Sequence, residues 1–288
     1  MQKQVLITED LSCIGQVSMG VTLPILAALD DNPFILPTAL LSTHTGGFGD
    51  NTNLDLTAEM YKILAHWRTL KLDLDGIYCG YLGMNQIDVI LQAVLPQKQT
   101  ALTLVDPVMA DEGKLYRGFT MDYVAKMRQL VQRADIIVPN LTEASLLLGQ
   151  PLHDEPYALD EISAILQQLR TKTGASVILT GLPISAAQIA VVGLERGANE
   201  PWLLEQPRIA GHYFGSGDLF ASVLFGLRLA GFSLYHAAEI AMEFTSKGIV
   251  TTYQQHSDVR FGINAMAALP WLLERLNEGV EENGSRKK

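Results

Sequence analysis

The chain has 288 residues, 48% of them apolar, with 31 acidic against 21 basic side chains. Such apolar content offsets the entropy of ordering the chain and excludes disorder over most of its length. A formal charge of −10 excludes the basic footprint that nucleic acid or an anionic membrane surface requires, so neither partner is expected.

In chain order, continuously apolar, β-branched runs predict strands at 4–8, 37–42, 76–80, 101–105, 136–139 and 177–180. Their composition suits strands covered on both faces. Amphipathic stretches at 57–70, 86–95, 120–132, 142–148 and 159–172 predict helices between them. The alternation implies βαβ units and a mostly parallel sheet. Two short strands follow at 188–194 and 202–205, joined by turn formers. Helices at 218–230, 234–252 and 264–276 come last. Residues 1–278 read as a single domain, and 279–288 as a polar tail that frays. The opening MQKQVLITED has no apolar signal-peptide core, and no apolar run approaches the ~18 residues of a membrane span. Cys13 and Cys79 make no disulfide framework and suit a reducing, cytoplasmic setting. No C-x-x-C or H-x-x-x-H spacing suggests zinc.

In open α/β sheets, ligands sit beyond the carboxyl ends of the strands. Polar residues and glycines gather there: Glu9-Asp10, Thr43 to Gly47, Tyr81 to Gly83, Asp106-Pro107-Val108, Asn140 to Glu143, and Gly181. The sharpest motif is Gly215-Ser216-Gly217-Asp218, followed at once by a helical stripe. Glycines let successive N–H groups turn into one concavity, and the helix end adds about half a positive charge. Together these make an anion site. A carboxylate there repels an anion, so Asp218 suits a base that takes a proton while the amides hold developing charge. The plain alternative is a loop whose Asp caps its helix.

Asp106 is pinned by Pro107 at a strand end. It suits Mg²⁺, which favours a few carboxylates plus phosphate oxygens. A turn Asp bonded to its own backbone is the alternative. Asn140 and Glu143 can reach the same crevice, with Glu143 a second carboxylate, or they cap the helix that follows. Lys114 and Arg117 follow a turn suited to a flap. They, Lys247 and His212 default to solvated charge. P-loop, dinucleotide and nucleophile-elbow patterns are absent.

Gly80-Tyr81-Leu82-Gly83, Asp106-Pro107-Val108-Met109, Asn140-x-x-Glu143 and Gly215-Ser216-Gly217-Asp218-Leu219-Phe220-Ala221 resemble the ribokinase-like superfamily. With Ser42-Thr43-His44-Thr45, the chain resembles its pyridoxal (vitamin B6) kinase branch over nearly its whole length. The resemblance implies a three-layer α/β/α ribokinase-like fold with a central, mostly parallel sheet. It implies phosphorylation of the 5′-hydroxymethyl group of pyridoxal, pyridoxine or pyridoxamine, with ATP as co-substrate and Mg²⁺; K⁺ is left open. By that pattern Asp218 is the base, and the amides of Gly215, Ser216 and Gly217 form the anion hole. Asp106 and Glu143 sit near Mg²⁺ and the phosphates, with Asp111 and Asn140 beside them. Thr180 and Gly181 flank ATP, while Tyr81 and Thr45 line the vitamin site. A homodimer is also implied.

The chain departs from the pattern where relatives carry a ring-contacting Ser after the first strand. Asp10 stands there, with Ser12 the other candidate. An Asp can pair with a protonated ring nitrogen or an amine. Phe214 stands where sugar-kinase relatives have Thr. Hydroxymethylpyrimidine phosphorylation shares the fold and the Asp-Pro-Val-Met segment and is the alternative. A non-catalytic vitamin or nucleotide binder is a third reading.

Overall fold

Most of the apolar runs form strands in one sheet that helices cover on both faces. The computed structural model describes residues 2–98, 100–151 and 157–285. The first half comprises β1 (Lys3–Thr8), β2 (Leu11–Ser12), α1 (Met19–Ala28), β3 (Asp31–Ile35), β4 (Ala39–Leu41), β5 (Asn53–Asp55), α2 (Thr57–Leu70), β6 (Gly76–Cys79), α3 (Met84–Val89) and β7 (Leu102–Val105). Then come β8 (Ala110–Asp111), β9 (Lys114–Leu115), α4 (Met121–Val131), β10 (Ile136–Ile137), α5 (Leu141–Leu148), α6 (Leu159–Thr173) and β11 (Ser176–Pro183). The chain closes with β12 (Gln188–Leu194), β13 (Trp202–Pro207), α7 (Ser216–Leu229), α8 (Leu234–Gln254) and α9 (Leu269–Ser285).

Among the described residues, eight strands form one sheet in the order β13-β12-β11-β10-β7-β6-β1-β3. The strands from β3 to β11 pair in parallel. β12 pairs antiparallel with both β11 and β13. On one face Leu64, Ile87, Met127, Leu130 and Leu166 pack from α2, α3, α4 and α6. On the other, Ile25, Leu26, Leu224, Phe225 and Phe244 pack from α1, α7 and α8. Each such side chain contributes about 1.5–3 kcal/mol by leaving water. The result is a three-layer α/β/α stack. Gly226 lets α7 approach α1 closely, because a Cβ there would overlap Leu29.

The run at 37–42 does not join this sheet. Its centre, β4, lies between β2 and β5 in a separate three-stranded sheet. Cover on both faces is therefore wrong for this strand: Ala39 and Leu41 are buried, but Leu40 is 38% exposed. The sequence pattern also hides α1 and β3. α1 reads MGVTLPILAA, with no polar stripe, because its exposed face carries Gly20, Pro24 and Ala27 while Met19, Val21, Thr22, Ile25 and Leu26 are buried. β3 contains Pro33, which a sheet tolerates at an edge.

The tail also differs from expectation. α9 continues past Gly279 to Ser285, so the frayed segment expected at 279–288 is helical as far as it is described. Gly279 lies flat against the Phe232 ring, where a Cβ would overlap it. No helix among the described residues is long and apolar enough to cross a membrane.

Candidate active site

The carboxyl ends of β1, β6, β7, β10 and β11 open onto one cavity of about 540 Å³. Asp10 follows β1, Tyr81 follows β6 and Asp106 follows β7. Asn140 and Glu143 follow β10, and Thr180 and Gly181 belong to β11. All of these line the cavity, as do Thr45, Asp111, Gly215, Ser216, Gly217 and Asp218. The topology thus brings every residue singled out by the motifs to one place.

Gly215 caps α7 at φ 78° and ψ 3°, a region glycine adopts readily. A Cβ there would overlap the backbone carbonyl of Gln16, which has no freedom to yield. The N–H groups of the first turn have no partner inside the helix. Ser216 N–H makes only a 3.4 Å bond to the Tyr213 carbonyl. These groups stand at the positive end of the α7 dipole, beside the cavity.

Asp218 lies in this first turn. Its Oδ2 accepts from Ser18 N–H at 2.8 Å. Burial pushes its carboxyl up to about 6, and the Ser18 bond opposes that rise. The group is therefore mostly ionised at neutral pH yet holds a proton better than a solvated aspartate, as a general base requires. Ser18 has φ 44° and ψ −129°. A non-glycine residue held there costs about 1–3 kcal/mol.

Beside this turn the wall is acidic. Burial raises the Asp106 carboxyl well above its ordinary range, and neighbouring Glu143 and Asp218 raise it further. Glu143 is also raised by burial, to about 8. Its Oε1 accepts from Met109 N–H and its Oε2 from Asn140 N–H, both at 3.0 Å. Asn140 Oδ1 accepts from Glu143 N–H at 2.8 Å. This reciprocal pair is a capping box on α5. The capping alternative therefore holds as geometry, and both residues border the cavity as well.

Such a wall fits a hard cation. Asp106 offers the freer carboxyl, whereas both Glu143 oxygens accept from backbone amides and would reach an ion only through water. No three His, Cys, Asp or Glu groups among the described residues converge into a cage. That arrangement suits Mg²⁺, which keeps several waters and takes phosphate oxygens.

At the other end, Asp10 is 3% exposed and accepts from Ser12 Oγ at 2.9 Å. Asp10, and not Ser12, borders the cavity. Burial raises the Asp10 carboxyl, and pushes the Tyr81 phenol up to about 12. The Phe214 ring covers Gly46, beside Thr45, and a Cβ on Gly46 would overlap it. His44 Nδ1 accepts from Gly46 N–H at 3.1 Å, so its proton sits on Nε2, which donates to the Arg260 carbonyl at 2.6 Å.

β8 and β9 form a short antiparallel hairpin where the sequence suggests a flap, turning through Glu112 (φ 47°) and Gly113 (φ 76°). The hairpin brings Asp111, Tyr116 and Arg117 to the cavity. Arg117 pairs with Asp50 at 2.6 Å. His212 also borders the cavity, 3.9 Å from Asp111. Lys247 instead lies over the Trp271 ring.

Two residues escape sequence reasoning. Ser18 carries no motif, and its only signature is its backbone conformation. Glu9 is fully buried, and neither carboxyl oxygen has a partner at hydrogen-bonding distance. Burial and nearby Asp218 raise it well above the ordinary range. Gly80 makes room for it, because a Cβ there would overlap Oε1. Two acids in succession after a strand were the only trace in the sequence.

Residues 31–261 match the sequence profile of the phosphomethylpyrimidine kinase family. The chain belongs to that family. Its fold is ribokinase-like, as the motifs imply. It is similar to pyridoxal kinase from Lactobacillus plantarum, with a TM-score of 0.89 and 36% identity over 97% of this chain and 99% of that one. A Bacteroides thetaiotaomicron structure with pyridoxal, provisionally described as a phosphomethylpyrimidine kinase, gives a TM-score of 0.88 at 36% identity, covering 94% and 96%. The pyridoxine/pyridoxal/pyridoxamine kinase of Bordetella avium is 31% identical over 255 residues, 83% of this chain and 81% of that protein. The chain spans 57% to 62% of the length of the first curated relatives it matches.

Proposed function

We propose that the protein transfers the γ-phosphoryl group of ATP to the 5′-hydroxymethyl group of a B6 vitamer. The observation that carries this reading is the glycine-turned start of α7, with half-buried Asp218 and the carboxyls of Asp106 and Glu143 on one cavity. Similarity to the Lactobacillus plantarum enzyme, and to a structure with pyridoxal, supports a vitamer as acceptor.

In this reading Asp218 takes the proton of the acceptor hydroxyl. The freed oxygen bonds to the γ-phosphorus, and the bond from that phosphorus to ADP breaks. The amides of Gly215, Ser216 and Gly217 hold the charge on the moving group. Asp106 and Glu143 would hold Mg²⁺, which would supply charge neutralisation of the phosphates. Asp111, Asn140, Thr180 and Gly181 border ATP; Asp10, Thr45 and Tyr81 border the vitamer.

The family is described as phosphomethylpyrimidine kinase, so a pyrimidine acceptor, hydroxymethylpyrimidine, is the second reading. Comparing kcat/KM for the two acceptors with Mg-ATP decides between them, because specificity is a ratio. A preference for pyridoxal of about tenfold or more is expected, the scale a few contacts can supply. The reverse preference moves the assignment to the pyrimidine. Tight pyridoxal binding with no ADP formed makes the protein a binder. EDTA is expected to abolish turnover and added Mg²⁺ to restore it, and exchanging K⁺ for Na⁺ reads the monovalent requirement.

A homodimer is part of this reading. Leu11, Leu40 and Leu54 stand side by side across β2, β4 and β5. They are 41%, 38% and 58% exposed, an apolar row of the kind that marks a contact surface. Light scattering is expected to give twice the chain mass for the parent and the single mass for Leu54→Glu. A monomeric parent ends this part of the reading. The free thiols of Cys13 and Cys79 support a cytoplasmic setting.

A further inference from the structure

Tyr81 borders the cavity at the acceptor end, yet no hydrogen bond fixes the direction of its ring. Among the described residues its phenol oxygen has no partner. What is held is its carbonyl, which accepts from Thr38 Oγ1 at 3.1 Å. The ring is oriented by packing instead. Phe119 lies against it, with ring centroids 5.6 Å apart and planes inclined by 31°. Phe119 in turn stacks on Tyr123, at 3.9 Å and 10°. The Tyr123 hydroxyl donates to the Leu82 carbonyl at 2.8 Å. Leu82 is the residue next to Tyr81, so the contacts close on themselves.

The closed set has a fixed end and a working end. Tyr123 is fully buried in the first turn of α4, where its hydroxyl ties it to the loop after β6. Phe119 is only partly buried and does not line the cavity. It stands one layer behind the wall, between Tyr123 and Tyr81. Its entry point is set by the turn after the β8–β9 hairpin, where Phe119 N–H donates to the Tyr116 carbonyl at 3.1 Å. Aromatic pairs prefer particular orientations, with a stabilisation beyond the area they bury. An aliphatic side chain of similar size fills the same space without that preference.

We propose that Phe119 is a positioning residue for the acceptor: with Tyr123 behind it, it holds the Tyr81 ring at the angle at which a planar heteroaromatic acceptor meets it. The inference rests on the vitamer-kinase reading and adds to it what supports the acceptor wall. Without the Phe119 ring, Tyr81 can turn about its side-chain bonds, and the acceptor is held less well. The glycine turn, Asp218 and the carboxyls of Asp106 and Glu143 stand on other segments and are untouched.

Phe119→Leu and Phe119→Tyr, assayed with pyridoxal and Mg-ATP beside the parent, test this. Phe119→Leu is expected to raise the pyridoxal KM about 3- to 10-fold, the range one oriented aromatic contact supplies. Phe119→Tyr keeps the ring and is expected to stay within about twofold of the parent. In both, kcat and the ATP KM are expected to stay within about twofold, since a residue acting only on acceptor binding leaves them unchanged. Should Phe119→Leu melt below the assay temperature, Phe119→Met, a flexible side chain that fills irregular gaps, repeats the test with the same expectation. A pyridoxal KM within about twofold of the parent in the aliphatic variant overturns the proposal. So does an equal rise in Phe119→Tyr, which shows that the ring is not what matters, or an equal rise in the ATP KM, which marks general loosening. Calorimetric Kd values for pyridoxal alone are expected to shift by the same factor as KM, and they keep the two readings apart. A parent that binds pyridoxal but forms no product overturns the vitamer-kinase reading, while the Kd ratio of Phe119→Leu to parent still decides for Phe119. A parent that neither binds nor phosphorylates pyridoxal overturns both.

Discussion

Asp218→Asn is expected to lower kcat about a thousandfold while leaving the fold intact. Asparagine keeps the shape of the side chain, and its Oδ1 can still accept from Ser18 N–H. What it lacks is a place for the acceptor's proton. The KM values are expected to change little, because the amides proposed to hold phosphate belong to the backbone. Stability is expected to hold or rise at pH 8. There the native carboxyl is a buried charge close to Asp10, and a neutral amide removes that repulsion. ADP release and a thermal melt measure the two effects. A kcat within a few-fold of the parent takes Asp218 out of the base role.

The second large effect is one of stability and lies away from the cavity. Asp31 begins β3 and is 5% exposed, and its Oδ2 has no partner. Burial pushes its carboxyl up to about 7, with Asp30 and Asp75 adding to the rise. An unfolded aspartate titrates near 3.9. Between those values the folded chain holds a proton that the unfolded chain has lost. The stability this proton supplies is complete below about pH 4 and is lost as pH rises through about 7.

Asp31→Asn removes that dependence. Its melting temperature is expected to exceed the parent's by more at pH 8 than at pH 5. The excess is about 2 kcal/mol after discounting for partial hydration, or about 4 °C for a chain of this size. Melting curves at the two pH values check it. Equal gains at both would show that Asp31 titrates as a solvated group.

The parallel strands and most helices are legible in the sequence because burial on both faces leaves continuous apolar runs. The same rule fails where surroundings change. α1 shows no stripe because its exposed face is built of Gly20, Pro24 and Ala27, β3 survives its proline by lying at an edge, and β4 reads as central although it belongs to a small outer sheet. The residues around the cavity are legible because backbone geometry demands glycine before α7, and because strand ends collect acids. The division of labour among them is less so. Asn140 and Glu143 cap α5 and face the cavity at once, which spacing alone does not separate. Asp10 and Ser12 are told apart only by which one the chain turns toward the cavity. Ser18 is invisible, because a serine in sequence carries no record of φ.

The bond from Ser18 to Asp218 joins residues 200 positions apart, and Ser222 Oγ meets Thr22 Oγ1 at 3.0 Å over the same separation. The ribosome therefore delivers one partner of each pair long before the other. At the ~5–20 residues per second of synthesis, α1 and β1 wait about ten seconds or more for α7 to cover them. During that wait Ile25, Leu26 and Leu29 face water or a holding partner. The cavity itself is completed only when α7 docks, so a truncated or stalled chain lacks the glycine turn and Asp218 at its mouth. Activity in this architecture is a report that synthesis has run nearly to its end.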